Sequence, residues 1–149
     1  CAAGAQSVET YAPGPRGNGN AVPPGHADPA QALGLPDPSE DRTYWTTLGL
    51  GGELTLEFAV PVRDAEGADL RLVDVADGAK GRADAAEVSV STDGAAWTSL
   101  GVVTGTGEVD LAGTDAVRFV RLVDATPDAG PPATDGYDLD AVQVLTGCG

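Results

Sequence analysis

Hydrophobic and polar side chains alternate at every second position along much of this chain, which is the pattern of β-strands that bury one face. The clearest segment covers residues 53–58, where Leu54, Leu56 and Phe58 alternate with polar side chains. Further segments with strand character cover residues 7–12, 69–75, 88–91, 97–100, 108–111, 116–124 and 138–145. Because no long window shows the 3.6-residue period of a helix, the pattern predicts an all-β, antiparallel β-sandwich of about eight strands.

Turn residues and breaks in the alternation predict where these strands end. Asp93 followed by Gly94 predicts a hairpin, since glycine tolerates the positive φ of such turns, and Trp97 is then expected to return to the core. Pro61 is expected to end the strand that precedes it. In residues 116–124 the alternation slips, which predicts either a strand covered on both faces or a β-bulge.

Residues 1–30 differ from the rest and predict an extended N-terminal arm, with a first strand near residues 7–12. Gly, Pro, Ala and Asn dominate this arm, and such a composition is typical of disordered tails unless another surface holds the chain. The arm can pair at the edge of its own sandwich, or it can donate a strand to a neighbouring subunit. Residues 31–149 are expected to form the sandwich domain, since no internal repeat or further boundary is visible.

Composition and charge narrow the functional classes. The 149 residues include 21 Gly and 11 Pro, which interrupt helices, and contain no apolar run long enough to cross a membrane. Acidic residues number 23 and basic residues 8, so the net charge is -15. A surface that binds nucleic acid or anionic lipid would need the opposite sign, whereas divalent cations are natural counterions for this chain.

The two cysteines stand at the ends of the sequence, at Cys1 and Cys148. A chain that begins at Cys rather than Met predicts that a secretory signal has been removed. The cysteines can form a disulfide, within one subunit or between subunits, and the even cysteine count favours this. Alternatively, Cys1 carries the lipid anchor of a bacterial lipoprotein. Both interpretations place the protein outside the cytoplasm, in the extracellular space or at a bacterial cell surface.

Two motifs resemble those of the discoidin, or coagulation-factor type C, domains. Residues 88–97 read V-S-V-S-T-D-G-A-A-W and residues 117–122 read V-R-F-V-R-L. Segments that look like a bacterial cell-surface branch of the same galactose-binding-like group lie at residues 32–37, 48–56, 67–70 and 136–142. The resemblance covers roughly residues 6–145, and it rests on the order and spacing of the segments rather than on one motif.

This resemblance implies a jelly roll whose N- and C-terminal segments lie close together, often beside a structural calcium. It would bring Cys1 near Cys148, and the loop of Asp37 near the strand of Asp138. The long N-terminal arm departs from the family pattern, and the usual sugar-binding loops are not recognisable.

A group of carboxylates makes calcium the expected cofactor. Asp138 and Asp140 lie two residues apart on one strand, so their carboxylates share a face and repel each other unless a cation, basic groups or water compensates them. Calcium takes six to eight oxygen ligands, whereas one His and two terminal Cys do not make a typical zinc or copper site. Further ligands are expected from loop–strand junctions near the same end of the sandwich: Asp37, Asp69 and Asp124, with Glu87 and Asp135 as weaker candidates. The alternative is that these acids are solvated turn residues.

No enzyme is predicted. The sequence contains neither a G-x-S-x-G motif nor a phosphate-binding glycine loop, and no carboxylate is marked as buried against aromatic rings, as glycoside hydrolysis would require. Aromatic residues in loop-like positions are candidates for stacking on sugars: Tyr44, Trp45 and Tyr137. The alternative for Trp45 is a lid on the core.

Three hypotheses follow for the function. The first is a secreted, calcium-binding structural subunit of a filament or matrix, which self-associates through its N-terminal arm, its terminal cysteines or both. The second is a carbohydrate-binding or adhesive module at the cell surface, and the third, least favoured, is a hydrolase.

Overall fold

The computed structural model describes residues 3–37, 43–75, 84–127 and 134–146. It shows two antiparallel sheets packed as a sandwich, which confirms the predicted fold class. The strands are β1 (Ala3–Gly4), β2 (Ser7–Ala12), β3 (Thr46–Thr47), β4 (Glu53–Val62), β5 (Leu70–Asp74), β6 (Ala85–Ser91), β7 (Thr98–Thr104), β8 (Gly107–Val109), β9 (Val117–Asp124) and β10 (Asp138–Val144). Two single turns of 3₁₀ helix, Pro24–His26 and Pro29–Ala32, lie between β2 and β3.

The first sheet has the order β1-β10-β5-β8, with β3 also paired to β10, and the second sheet has the order β2-β4-β9-β6-β7. The core lies between them and includes the residues predicted from the clearest alternation, since Leu54, Leu56 and Phe58 are at most 1% exposed. Each such side chain stabilises the fold by about 1.5–3 kcal/mol through removal of apolar surface from water.

Strand β4 continues through Pro61 to Val62, so the prediction that this proline ends the strand is wrong. Its neighbour β2 pairs only with residues 53–57. On the other side, the pairing with β9 changes register between Glu57 and Val62. Pro61 therefore lies in an irregular part of the ladder, where its missing N–H group interrupts no regular pair.

The N-terminal arm contributes a strand to each sheet of its own chain. Strand β1 pairs with β10, with Ala3 opposite Val144, and β2 pairs with β4. Between them Ala5 is fully buried, and its carbonyl oxygen accepts a hydrogen bond of 2.8 Å from the backbone N–H of Gly34. The arm is thus tied to the sandwich by its backbone, and it brings the two ends of the described chain together.

The turn between β6 and β7 is the hairpin that the sequence predicts. The Oδ1 atom of Asp93 accepts hydrogen bonds from the backbone N–H groups of Ala95 and Ala96, at 2.9 and 3.0 Å. Gly94 has a φ of 78°, which a residue with a side chain rarely adopts. These bonds hold the turn while the chain reverses.

The position of Trp97 differs from the prediction, because its indole does not return to the core. It is half-buried on the outer face of the second sheet, where the guanidinium of Arg121 lies 4.1 Å from the ring centroid. Val120 and Leu122 of β9 fill the core, so the intervening Arg121 must point outward. The irregular alternation of β9 thus reflects an outer face that is itself partly covered.

Cys1 and Cys148 lie outside the described residues, so their predicted disulfide or lipid anchor stays a prediction. Of the helical segments in the described ranges, none has the length and apolarity that crossing a membrane requires.

Candidate cation site at the start of β10

The loop before β10 is held by close backbone packing, which fixes the position of Asp138. Gly136 has a φ of 80°, and a Cβ atom there would lie 2.7 Å from the carbonyl oxygen of Gly49. The next residue, Tyr137, is fully buried, and its hydroxyl donates a hydrogen bond of 2.7 Å to the carbonyl oxygen of Gly105. The chain therefore enters β10 from a rigid anchor in the core.

Asp138 is 8% exposed and takes part in a short chain of hydrogen bonds. Its Oδ1 atom accepts a bond of 2.6 Å from the hydroxyl of Thr47. That hydroxyl oxygen in turn accepts a bond of 3.2 Å from the indole N–H of Trp45. The carboxyl is thereby held in one orientation by a residue of β3, the short strand that pairs with this end of β10.

The surroundings of Asp138 raise its pKa to about 8, chiefly because burial penalises the charged form. The negative charges of Asp135, Asp84 and Asp74 raise the pKa further, and the hydrogen bond from Thr47 opposes them. Three carboxyl groups thus lie near enough to Asp138 to raise its pKa, at the end of the sandwich where β5 ends and β10 begins. Such an arrangement favours either a proton or a cation at Asp138.

Asp140 lies two residues further along β10 and is 7% exposed. Its Oδ2 atom accepts a hydrogen bond of 3.0 Å from the backbone N–H of Asp37. The pairing of β10 with β5 changes register between Leu139 and Ala141, so the irregularity falls at Asp140 itself. The structure therefore brings together two of the predicted residues, although the contact uses the backbone of Asp37.

Asp124 acts as a clamp for the backbone beside this site. Its Oδ2 atom accepts a bond of 3.0 Å from the N–H of Gly51, and its Oδ1 atom accepts bonds of 2.9 Å from the N–H of Tyr137 and 2.7 Å from the hydroxyl of Thr126. Both oxygens are thus engaged by groups of the chain. Asp124 thus positions the residue before Asp138, and its role as a calcium ligand stays a prediction.

Asp69 lies at the other end of β5 from Asp74, a separation of about 17 Å along the strand. The expectation that it shares one site with Asp138 is therefore wrong. Its oxygens accept hydrogen bonds from the N–H groups of Ala65 and Leu111, at 3.0 and 2.9 Å, and from the hydroxyl of Thr146 at 2.7 Å. Asp69 is fully buried and joins three loops.

A second group of carboxylates surrounds Asp69. Oxygen atoms of Asp64, Asp69 and Asp110 lie within 4.8 Å of one another, close enough to share one metal ion. Asp64 and Asp110 are exposed, so water stabilises their charges without a cation. This group is the alternative location for a bound cation.

The aromatic residues predicted to stack on sugars differ in their accessibility. Tyr137 is a core residue, so the prediction that it contacts a ligand is wrong. Trp45 is half-buried and stacks on His26, with ring centroids 3.6 Å apart and an interplanar angle of 12°. Tyr44 is 57% exposed. One face of the Trp45 ring is therefore already occupied by the chain itself.

Sequence reasoning missed Asp74 and Asp84 as neighbours of Asp138. Asp74 is the last residue of β5 and pairs with Leu139, while Asp84 immediately precedes β6. An acidic residue at the end of a strand was the available signal, but the pairing of β5 with β10 is not visible in local sequence.

The chain matches no known protein-family model, and a search among curated proteins finds no significant relative. The likeness to discoidin-type domains therefore stays a prediction from motifs.

Proposed function

We propose that this protein is a non-catalytic, exported β-sandwich that binds calcium at the start of β10 and serves as a structural subunit at a cell surface or in an extracellular assembly. The observation that carries the proposal is the buried carboxyl of Asp138, whose pKa is raised to about 8 by burial and by three neighbouring carboxyl groups. Near neutral pH this group needs a proton or a cation, and a divalent cation would neutralise several of the surrounding charges together.

The chemistry of the donors fits calcium. The side-chain groups that shift the pKa of Asp138 are carboxyl groups and the hydroxyl of Thr47, which are hard oxygen ligands. Asp138 and Asp140 would supply carboxylate oxygens from β10, and Asp135 would supply one from the loop before it. Extracellular calcium modules bind at roughly 10⁻⁴–10⁻³ M, so a site of this kind suits a protein outside the cell.

The described arm bears on how copies of the chain would associate. Both of its strands are already paired within the sandwich, so donation of a strand to a neighbour would first require that β1 or β2 leave its sheet. The edge strands of the second sheet also carry register shifts, between Val8 and Thr10 in β2 and opposite Val88 and Ser89 in β7. Such bulges discourage edge-to-edge pairing, so we assign assembly to the terminal cysteines or to calcium rather than to strand exchange.

Thermal unfolding near neutral pH, with about 10 mM calcium and then with a chelator, tests the calcium site. Wild-type protein is expected to gain about 1.4–2.7 kcal/mol of stability at calcium concentrations of ~10–100 times the dissociation constant. The double variant Asp138→Ala, Asp140→Ala is expected to lose this gain, since both carboxylates of β10 are removed. The matched control is the pair Asp64→Asn, Asp110→Asn, which alters the second carboxylate group and should respond to calcium like wild type.

An unchanged calcium response in the double variant would sink the assignment to β10. Loss of the response only in the Asp64 and Asp110 variant would move the ion to the other end of β5. Calorimetry in two buffers of different ionisation enthalpy provides an independent readout, because calcium binding at Asp138 must release the proton that this carboxyl holds.

A further inference from the structure

A tight turn in the N-terminal arm, between β2 and the first 3₁₀ segment, contains both asparagines of the sequence, Asn18 and Asn20. Residues 17–20 are all exposed. The N–H group of Arg16 donates to the carbonyl oxygen of Asn20 at 2.7 Å, and the N–H group of Gly19 donates to the carbonyl oxygen of Arg16 at 2.9 Å. Gly19 has a φ of 82°, the left-handed conformation that closes a three-residue hairpin loop of this kind.

An asparagine that precedes a glycine places an electrophile beside a nucleophile. The side-chain carbonyl carbon, Cγ, and the backbone nitrogen of the following residue can close a five-membered succinimide ring. A Cβ atom on the following residue shields that nitrogen and restricts the backbone rotation that ring closure needs, whereas glycine does neither. Asn18 is followed by Gly19 and Asn20 by Ala21, so ring closure is favoured at Asn18.

The hydrogen bond to the side chain of Asn18 favours the same attack. Its Oδ1 atom accepts a bond of 2.9 Å from the backbone N–H of Asn20. Negative charge develops on this oxygen when the nitrogen of Gly19 adds to Cγ, and an N–H group already directed at it stabilises that charge, as in an oxyanion hole.

The bond from the N–H of Gly19 to Arg16 opposes the reaction, because it must open before the nitrogen can turn towards Cγ. A Cβ atom built at Gly19 would meet no atom of the described residues within 4 Å, so the surroundings leave room for this rearrangement. Since the turn is exposed, its opening is a local event that leaves the core intact.

Asp93 and Gly94 have the same spacing in the hairpin between β6 and β7, but they offer a poorer electrophile. The N–H groups of Ala96 and Ala95 lower the pKa of Asp93, so this carboxyl is ionised at neutral pH. A carboxylate resists attack by a nucleophile because its carbon is bonded to two oxygens that share a negative charge. The neutral amide of Asn18 carries no such charge, which makes it the more reactive group.

We propose that Asn18 is a site of spontaneous deamidation, in which the backbone nitrogen of Gly19 displaces the side-chain amide as ammonia. Hydroxide removes the N–H proton of Gly19, the nitrogen forms a bond to Cγ, and the bond between Cγ and Nδ2 breaks. Nδ2 takes a proton from water and leaves as ammonia. Water then opens the succinimide: attack at Cγ gives an aspartate, and attack at the backbone carbonyl carbon gives an isoaspartate. The sum is one water consumed and one ammonia released, with no oxidant or reductant.

The isoaspartate product changes a turn that helps to hold the arm in place. It adds one carbon to the backbone before Gly19, and it adds one negative charge. The neighbouring N–H of Gly17 donates a bond of 2.7 Å to the carbonyl oxygen of Thr134, and the hydrogen bonds within the turn keep this contact in register. The lengthened backbone cannot keep that register, so deamidation loosens the connection between the arm and Thr134.

Prolonged incubation of the full chain, followed by digestion and mass spectrometry with fragmentation of the peptides, tests the proposal. Asn18 should exchange ammonia for water faster at mildly alkaline than at mildly acidic pH, because hydroxide takes part. It should convert at least about tenfold faster than Asn20, which corresponds to about 1.4 kcal/mol in activation free energy. A parallel sample in urea gives the rate for the unfolded chain. Asn18→Gln is the matched variant: it keeps an amide but would need a six-membered ring, so it should stay unconverted over the same period.

Hydrogen exchange of the aged protein tests the structural consequence. Anion-exchange chromatography separates the deamidated form by its additional negative charge. The N–H of Gly17 should exchange several-fold faster in the isoaspartate form than in fresh protein. The N–H of Tyr137, which donates to Asp124, is the internal control and should exchange at an unchanged rate.

Conversion of Asn18 in urea but not in the folded protein would overturn the proposal, because the turn would then protect the amide. Equal rates at Asn18 and Asn20, or conversion of the Asn18→Gln variant at the wild-type rate, would overturn it as well. An unchanged exchange rate at Gly17 in the isoaspartate form would contradict the loosening of the arm. Chelator is present throughout, so these results do not depend on the calcium site.

Discussion

Replacement of Asp138 by Asn tests the electrostatics of the start of β10 most directly. An amide has nearly the shape of the carboxyl group and keeps an oxygen that can accept the hydrogen bond from Thr47. The substitution removes only the ability of this side chain to gain or lose a proton. The pKa of Asp138 is raised from 3.8 to about 8, so the folded protein holds a proton there that the unfolded chain loses above pH 4.

The sign and size of the effect follow from that pKa. A carboxyl whose pKa is higher in the folded state contributes stability that is complete below the unfolded pKa and is lost as the pH rises through the folded value. Each pKa unit corresponds to about 1.36 kcal/mol, so the full difference amounts to about 6 kcal/mol. In chelator, the stability of Asp138→Asn relative to wild type should therefore rise by about this amount between about pH 4 and pH 8, and then level off.

Urea unfolding of both proteins at a series of pH values measures this difference. Carboxyl groups far from Asp138 titrate alike in both proteins, so they cancel, and the difference reports Asp138 together with the three carboxyl groups coupled to it. For a chain of this length the effect corresponds to a shift in melting temperature of about 12–24 °C at pH 8. A difference that varies by less than about 1 kcal/mol over this range would refute the reasoning, and with it the argument that this carboxyl requires a cation.

Two further predictions concern groups away from the cation site. Asp124→Ala is expected to lower the free energy of unfolding by at least about 3 kcal/mol, because it removes the acceptor of three hydrogen bonds, two of them from backbone N–H groups; a loss below about 1 kcal/mol in urea unfolding would contradict its role as a clamp. Burial, followed by the negative charge of Asp28, raises the pKa of Tyr11 to about 12. The stability that its hydroxyl contributes is therefore complete below about pH 10 and is lost as the pH approaches 12; Tyr11→Phe should remove this pH dependence, and parallel curves for the two proteins would argue against it.

Alternation along the chain was sufficient to predict the fold class, because a strand with one buried face has an apolar residue at every second position. Leu54, Leu56 and Phe58 lie in the core as this argument requires. No comparable local pattern in the sequence shows which strands pair with each other. The two-residue strands β1 and β3 carry no periodic signal, and Pro61 is tolerated only because of an irregular register that involves β2 and β9.

The candidate sites were predictable in part for the same reason. The convergence of Asp37 with Asp140 involves segments more than 100 residues apart, and motifs rather than periodicity indicated it. The separation of Asp69 from Asp138 depends on the direction in which β5 lies beside β10. Trp97 was expected to return to the core after the hairpin turn, but the outward Arg121 offers it a ring contact that sequence alone does not reveal.

The pairing of β1 with β10 also has a mechanical consequence. Because the two strands are antiparallel and Ala3 lies opposite Val144, the chain enters and leaves the first sheet on the same side. A pulling force between the two ends would thus open the hydrogen bonds of β1 one after another, like a zipper, instead of shearing them together. Strand β1 has two residues, whereas β2, which follows it, has six and is anchored in the other sheet. Under tension β1 would detach from β10 at low force, and the freed residues would lengthen the extended N-terminal segment. The load would then pass to the longer pairing between β2 and β4, while the core stays closed.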